Sequence, residues 1–279
     1  MQLLQRENIG PAHGLWGMLH LRPLPGSPDF AGSVEQVLDV ALSDAEFLTE
    51  VGFQGLVVEN FGDRPFLPGP VEPVTVAAMA RVTAAVRGRW PGLHLIINCL
   101  RNDAMGGMAV AAAAGADAIR VNVHCGAMVT DQGILSGQAG QTLRTRRAWS
   151  AEKVRIFADI AVKHAAPVTE RPMAVEAADL RYRGAADALL LTGEATGSGA
   201  DPDRVAQIRD GAPDAPVVVA SGVDEQSAAA WAGLVDGAIV GSSLMHGGLA
   251  GGGVDPDRAV RVFAAWTEAR GKLQRKDDI

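Results

Sequence analysis

GLWGMLHL at residues 14–21, GLVVENF at 55–61 and RIFADIAVKH at 155–164 share one design, an apolar run that finishes on polar side chains. The runs are buried-type strands, and their polar ends are His20, then Glu59 with Asn60, then Asp159, Lys163 and His164. Outward from these three, eight such segments alternate with helix-like stretches. That rhythm predicts an α/β fold, a single (β/α)8 TIM barrel, with its chemistry at the C-terminal ends of the strands.

The remaining segments fit the same rhythm. Strands are expected at Leu93–Leu100, Ala118–Cys125, Ala188–Thr192, Val217–Ser221 and Gly237–Val240, and helices at Val34–Glu50, Val74–Arg89, Ala104–Ala114, Gln141–Lys153, Val175–Arg183, Asp203–Asp210, Glu225–Trp231 and Asp257–Arg275. GDRPFLPGPVEP after the second strand has the length of an active-site loop or lid, or of an uneventful connection. GAMVTDQGILSGQAG after the fourth reads as a long glycine-rich loop that permits mobility. The fold alternative is an open doubly wound sheet, but no strong GxGxxG strand-turn-helix pattern lies near the start.

The chain has 279 residues, 48% hydrophobic and 20% charged, which suits one barrel of about 250 residues. It is expected to form one domain over 1–279, with a short polar C-terminal tail at Lys272–Asp278 that is solvated or frayed. A net charge of −7 argues against a general nucleic-acid surface and leaves room for a local basic pocket. Cys99 and Cys125 form no CxxC pair, so neither a disulfide framework nor a structural zinc site is indicated, and the expected location is cytoplasmic. No uninterrupted stretch of about 20 apolar residues supports a membrane span.

The late strands VVVASGV at 217–223 and AIVGSSL at 238–244 carry the ligand signal. Their glycines allow close backbone approach, and Ser221, Gly222, Gly241, Ser242 and Ser243 offer amides and hydroxyls for a phosphate. Glu59 and Asp159 are candidate acid and base, against the alternative that they hold loop amides or neutralise basic residues. Strict alternation puts Asp159 and Lys163 on one face and turns His164 away, although His164 stays among the substrate-binding candidates at this strand end. Lys163 could then stabilise an enolate, bind phosphate, form an imine or make a structural ion pair. His20 is a candidate catalytic residue, substrate contact or metal ligand, against the alternative of a satisfied barrel histidine. Arg120, Asn122 and His124 share a face of the fourth strand, while Asn60, Asn98, Asn102 and Asp103 could orient substrate or satisfy backbone groups. Thr192, Glu194 and Thr196 of TGEATG favour a polar ribosyl or phosphosugar ligand. The residues single out no certain cofactor, and a divalent metal, if used, would be magnesium before zinc.

MLHLRPLPGSP at 18–28, GLVVENFGDRPF at 55–66, LRND at 100–103, IRVNV at 119–123, FADIAVKHA at 157–165 and TGEATG at 192–197 together resemble the BtpA/SgcQ family. The resemblance spans His20 to Ser243 and implies a TIM barrel, with some members linked to photosystem I assembly or stability and others to sugar or nucleoside metabolism. It brings no catalytic assignment, although Asp63 joins the site candidates as part of the second segment. The expected function is a metabolic enzyme acting on a phosphorylated sugar or nucleoside-related small molecule, by isomerase, lyase or glycosidic-bond hydrolase chemistry. The alternative is a non-enzymatic photosystem I assembly or stability factor with a protein partner. A homo-oligomer of open copy number is expected.

Overall fold

The structure is a computed structural model that describes residues 8–11, 14–193 and 200–277. Its strands are β1 (Leu15–His20), β2 (Gly55–Glu59), β3 (His94–Asn98), β4 (Ala118–Val121), β5 (Ala127–Thr130), β6 (Gly133–Ser136), β7 (Arg155–Ile160), β8 (Ala165–Pro167), β9 (Ala188–Leu191), β10 (Val217–Val219) and β11 (Gly237–Val240). Its α-helices are α1 (Val34–Val51), α2 (Pro73–Arg89), α3 (Ala104–Ala114), α4 (Ala139–Ala148), α5 (Met173–Ala178), α6 (Asp203–Gly211), α7 (Ala228–Ala232) and α8 (Pro256–Asp277). Eight strands close in the order β1-β11-β10-β9-β7-β4-β3-β2, every pair parallel. Closure leaves no barrel edge to pair with another chain.

Alternation along β1 sends Trp16, Met18 and His20 to the barrel interior at three successive heights. At the bottom, Trp16 fills the barrel because its neighbours yield space. A Cβ on Gly55 would lie 2.5 Å from Trp16 Cδ1, and one on Gly237 would lie 2.8 Å from Trp16 Cζ3. Trp16 Nε1 donates to His94 Nδ1 at 3.0 Å, so its polar atom is satisfied. The top layer is different. His20 pairs in register with Glu59, Glu59 with Asn98 and Asn98 with Arg120, which sets four polar residues in one row across β1–β4.

The helices begin and end where the sequence supplies caps. Ser33 accepts from Gln36 N–H to start α1, and Gly52, at φ 114°, ends it. Asp103 accepts from Gly106 N–H at the start of α3 and also from Val71 N–H, which ties the loop after β2 to the loop after β3. α8 continues through Asp277, so the backbone of the polar segment from Lys272 onward is helical.

The glycine-rich stretch after β4 also differs from expectation. It folds as the β5–β6 hairpin, which β8 extends into an antiparallel sheet of order β6-β5-β8. Val123, Leu135 and Val162 form a small core beneath it, with Met128 and Ala165 against them. The sheet fixes the segment that follows β7. Ala161 and His164 adopt left-handed φ values of 60° and 51°, so strand alternation stops at Ile160.

Candidate active site at the barrel mouth

A cavity of about 1000 Å³ opens at the C-terminal ends of the strands. It brings together His20, Glu59, Asn98, Arg120, Asn122, Lys163 and His164 on one side, and Ser221, Gly222, Gly241, Ser242 and Ser243 on the other. His164 therefore faces the same space as Lys163, contrary to the alternation argument, because the left-handed turns redirect both residues.

Glu59 is the centre of the polar row. Its Oε2 accepts from Asn98 Nδ2, and its Oε1 lies 3.6 Å from His20 Nε2. His20 Nδ1 accepts from Gly251 N–H at 3.2 Å, so a neutral ring carries its proton on Nε2 and presents it toward Glu59. Burial pushes the His20 pKa down, outweighing the pull of Glu59 in the other direction. Phe61 stacks on His20 with centroids 4.6 Å apart, and the Arg64 guanidinium lies 5.0 Å from the Phe61 ring centre. The loop after β2 thus covers the Glu59–His20 pair as a wall of the cavity, with Arg64 and Phe66 lining it.

Asp159 has a different place from the one expected. It is buried and does not line the main cavity; Arg120 grips it through two hydrogen bonds of 2.8 and 3.0 Å, and Asn122 Nδ2 donates to it at 2.7 Å. A carboxylate so fully engaged positions Arg120 and Asn122 and is not a free base. The same hydrogen bonds fix both asparagine amides. Because Asn98 and Asn122 donate through Nδ2 to carboxylates, each turns its Oδ1 away as an acceptor, and both oxygens are buried without a partner among the described residues. Buried acceptors are normally satisfied, so two orphans beside a cavity fit ligand hydroxyl or N–H donors.

Lys163 follows β7 on the turn into β8. Arg101 donates to its backbone carbonyl, and among the described residues its ammonium makes no hydrogen bond or ion pair. Burial, reinforced by Arg120, lowers its pKa to about 8 against the opposing pull of Glu59 and Asp159.

Five further candidates build loops and do not line the cavity. Asn60 bonds Asp63 and both backbone groups of Leu100, and Asp63 also accepts from Leu24 N–H. Asn102 exchanges hydrogen bonds with the backbone of Val123, Asp103 caps α3, and Thr192 donates to the Ala161 carbonyl. These placements follow the backbone-satisfying alternative and share a cause, since polar residues just beyond strand ends are also what holds strand-end loops in place. His124 is likewise turned away, its Nε2 against the Gly184 carbonyl. Glu194 and Thr196 lie outside the described residues.

Sequence reasoning missed Arg101 and Arg258, which both line the cavity. Arg101 sits within LRND, whose neighbours Asn102 and Asp103 drew the attention; Arg258 belongs to the first turn of α8, with no strand-end signal. On the side of the late loops Gly222 adopts φ 72°, and a Cβ on Gly241 would come within 3.2 Å of Met18 Cγ and 3.4 Å of His20 Cε1. Ser243 Oγ donates to the Val223 carbonyl, which ties the two late loops together. Among the described residues, no group of three or more His, Cys, Asp or Glu could hold a metal ion. A second hollow, at the opposite end of the barrel, contains Arg87, which is engaged with Asp117 and the carbonyls of Pro91, Leu93 and Gly115.

Comparison with known proteins places this geometry. A family model described as the BtpA family matches residues 12–268. The Photosystem I biogenesis protein BtpA of Synechocystis is 37% identical over 252 residues, covering 90% of this chain and 87% of that protein. Among solved structures, 3-hexulose-6-phosphate synthase from Salmonella typhimurium aligns with a TM-score of 0.58 at 15% identity, over 92% of this chain and 99% of that one. Phosphoribosyl anthranilate isomerase from Thermus thermophilus aligns with a TM-score of 0.57 at 13% identity, over 92% and 99%. Likeness at these identities establishes the TIM-barrel fold.

Proposed function

The chain belongs to the BtpA family, and from that premise we propose that it is an enzyme acting on a phosphorylated sugar or nucleoside-related small molecule. One observation carries the reading: a single cavity joins a Glu59–His20 pair and a buried lysine to two glycine- and serine-bearing loops after β10 and β11. The loops supply backbone amides and hydroxyls for the phosphate, and Arg258 adds positive charge at the same mouth. Asn98 Oδ1 and Asn122 Oδ1 accept from sugar hydroxyls. Glu59 moves a proton at the reacting carbon or oxygen, and Lys163 acts on the same end of the ligand. The names of two structural neighbours, a hexulose-phosphate synthase and a phosphoribosyl isomerase, agree with a ligand of this class.

The test is an untargeted search by mass spectrometry for small molecules retained by the purified protein, with Gly241→Val as its control. The expected result is a phosphosugar or phosphorylated nucleoside derivative that the wild type retains and the variant loses. Retention of only unphosphorylated compounds, or none across a well-covered metabolite panel, contradicts the reading. A second reading, assembly of a photosystem, is favoured by the name of the Synechocystis relative. It predicts that a Glu59→Gln, Lys163→Met double variant retains full assembly function, whereas the enzyme reading predicts its loss with the fold intact.

A further inference from the structure

We infer that Lys163 is a nucleophile that condenses with a free aldehyde or ketone of the ligand to form an imine. The inference rests on the phosphosugar reading and narrows it to open-chain carbonyl ligands.

Three observations carry it. First, of the 25 lysines and arginines only four are lysine, Lys153, Lys163, Lys272 and Lys276. The other cavity cations are arginines, Arg64, Arg101, Arg120 and Arg258. An arginine supplies permanent charge and cannot lose its proton, whereas a buried lysine can become a neutral amine. Second, the carboxylates that would hold Lys163 as an ammonium are already engaged. Asp159 is bound by Arg120 and Asn122, and Glu59 is engaged by Asn98 and faces His20. The Lys163 ammonium makes no hydrogen bond or ion pair among the described residues. Third, its backbone is held: Arg101 donates to its carbonyl, and Ala165, two residues on, pairs with Thr130 in the small sheet.

The groups acting on the amine are Arg120 and Arg101, which disfavour its charge, and Glu59 and Asp159, which favour it; burial outweighs them and sets its pKa at about 8. His20, on the other side of Glu59, is itself affected by the Lys163 charge. A useful fraction of neutral amine is therefore present close to neutral pH.

The step balances without a further reagent. The neutral Nζ lone pair forms a bond to the carbonyl carbon as the C–O π bond breaks, and a proton passes from the nitrogen to the oxygen. The hydroxyl then takes up a second proton and departs as water as the regenerated nitrogen lone pair forms C=N. Overall, an ammonium and a carbonyl give a protonated imine and one water. Glu59 and His20 are the groups of the cavity placed to pass the protons, and the protonated imine is an electron sink for removal of a neighbouring proton or cleavage of a neighbouring bond.

Pyridoxal 5′-phosphate is a suitable probe, a phosphorylated aldehyde that needs no knowledge of the natural ligand, with pyridoxal as its unphosphorylated counterpart. The full chain is incubated with each, reduced with sodium borohydride and mapped by peptide mass spectrometry. Lys163 is expected to take the adduct roughly tenfold or more faster than exposed Lys153 and Lys272, because roughly a hundredfold more of it is unprotonated near neutral pH, offset in part by the lower nucleophilicity of a less basic amine. Its labelling should be half-maximal near pH 8 and should slow when inorganic phosphate competes. Lys163→Arg should lose this adduct while labelling at Lys153 and Lys272 persists and the thermal melt stays cooperative. Labelling of Lys163 no faster than the surface lysines, or rising only above about pH 10 as for an ordinary lysine, overturns the inference. Equal labelling by pyridoxal and its phosphate keeps the imine and overturns the phosphate site. A pyridoxal 5′-phosphate-induced rise in melting temperature without labelling of Lys163 does the reverse.

Discussion

The Arg120–Asp159 pair shows why a residue's role depends on what stands beside it. Both partners are buried and joined through two hydrogen bonds, with Asn122 completing the carboxylate's shell. Removing one partner strands the other charge in a poor solvent for it. Arg120→Met is therefore expected to cost about 3–5 kcal/mol in denaturant-induced unfolding; a cost below about 1 kcal/mol would show that the pair is not buried in solution. Lys163 should behave in the opposite way. Its folded pKa of about 8 lies below its ordinary 10.5, so the unfolded chain binds the proton more readily. The charge destabilises the fold fully below pH 8, less as pH rises, and not at all above about 10.5. Lys163→Met should raise the melting temperature at pH 7, with the difference fading across that window in a series of thermal melts; a pH-independent difference would contradict it. Neither behaviour was legible from FADIAVKH alone. Asp159 ends an apolar run as Glu59 does, and only the fold shows that Arg120, from a neighbouring strand, reaches it.

At the scale of elements, the parallel strands were readable because LWGMLH, GLVVE and HLIIN carry apolar runs that close on polar residues, and the row His20–Glu59–Asn98 is those three ends. The β5–β6 hairpin was not. Its strands AMVT and GILS are four residues each and sit among glycines that equally suit a loop. Missing the hairpin hid the support under Lys163 and made simple alternation mislead about His164. The hairpin's function can be tested through Leu135, which is buried in the core beneath it. Leu135→Ala should loosen this sheet by about 2–5 kcal/mol. Hydrogen exchange is expected to rise in 127–136 and 165–167 and not in β1–β4, with imine labelling of Lys163 slowed. Unchanged exchange there would mean that the sheet does not depend on this core.

For the whole molecule, the barrel separates a packed floor from a polar mouth along its axis. Trp16 packs against Gly55, Gly237, His94 and Phe157 at the bottom, and the polar row with the late loops forms the top. Overpacking the bottom should harm the fold and spare the mouth. Gly55→Ala, whose Cβ would meet Trp16 Cδ1 at 2.5 Å, is expected to cost about 1–3 kcal/mol in unfolding while ligand retention is unchanged; loss of ligand with stability intact would break the division. No described helix is long and apolar enough to cross a membrane.

The most direct measurement is a crystal structure of the protein with the phosphorylated metabolite it retains. The account predicts the phosphate on the loops of Ser221–Gly222 and Gly241–Ser243, hydroxyls on Asn98 Oδ1 and Asn122 Oδ1, and the reacting end between Glu59 and Lys163. A phosphate bound elsewhere, or a ligand that leaves Glu59 and Lys163 untouched, would contradict it.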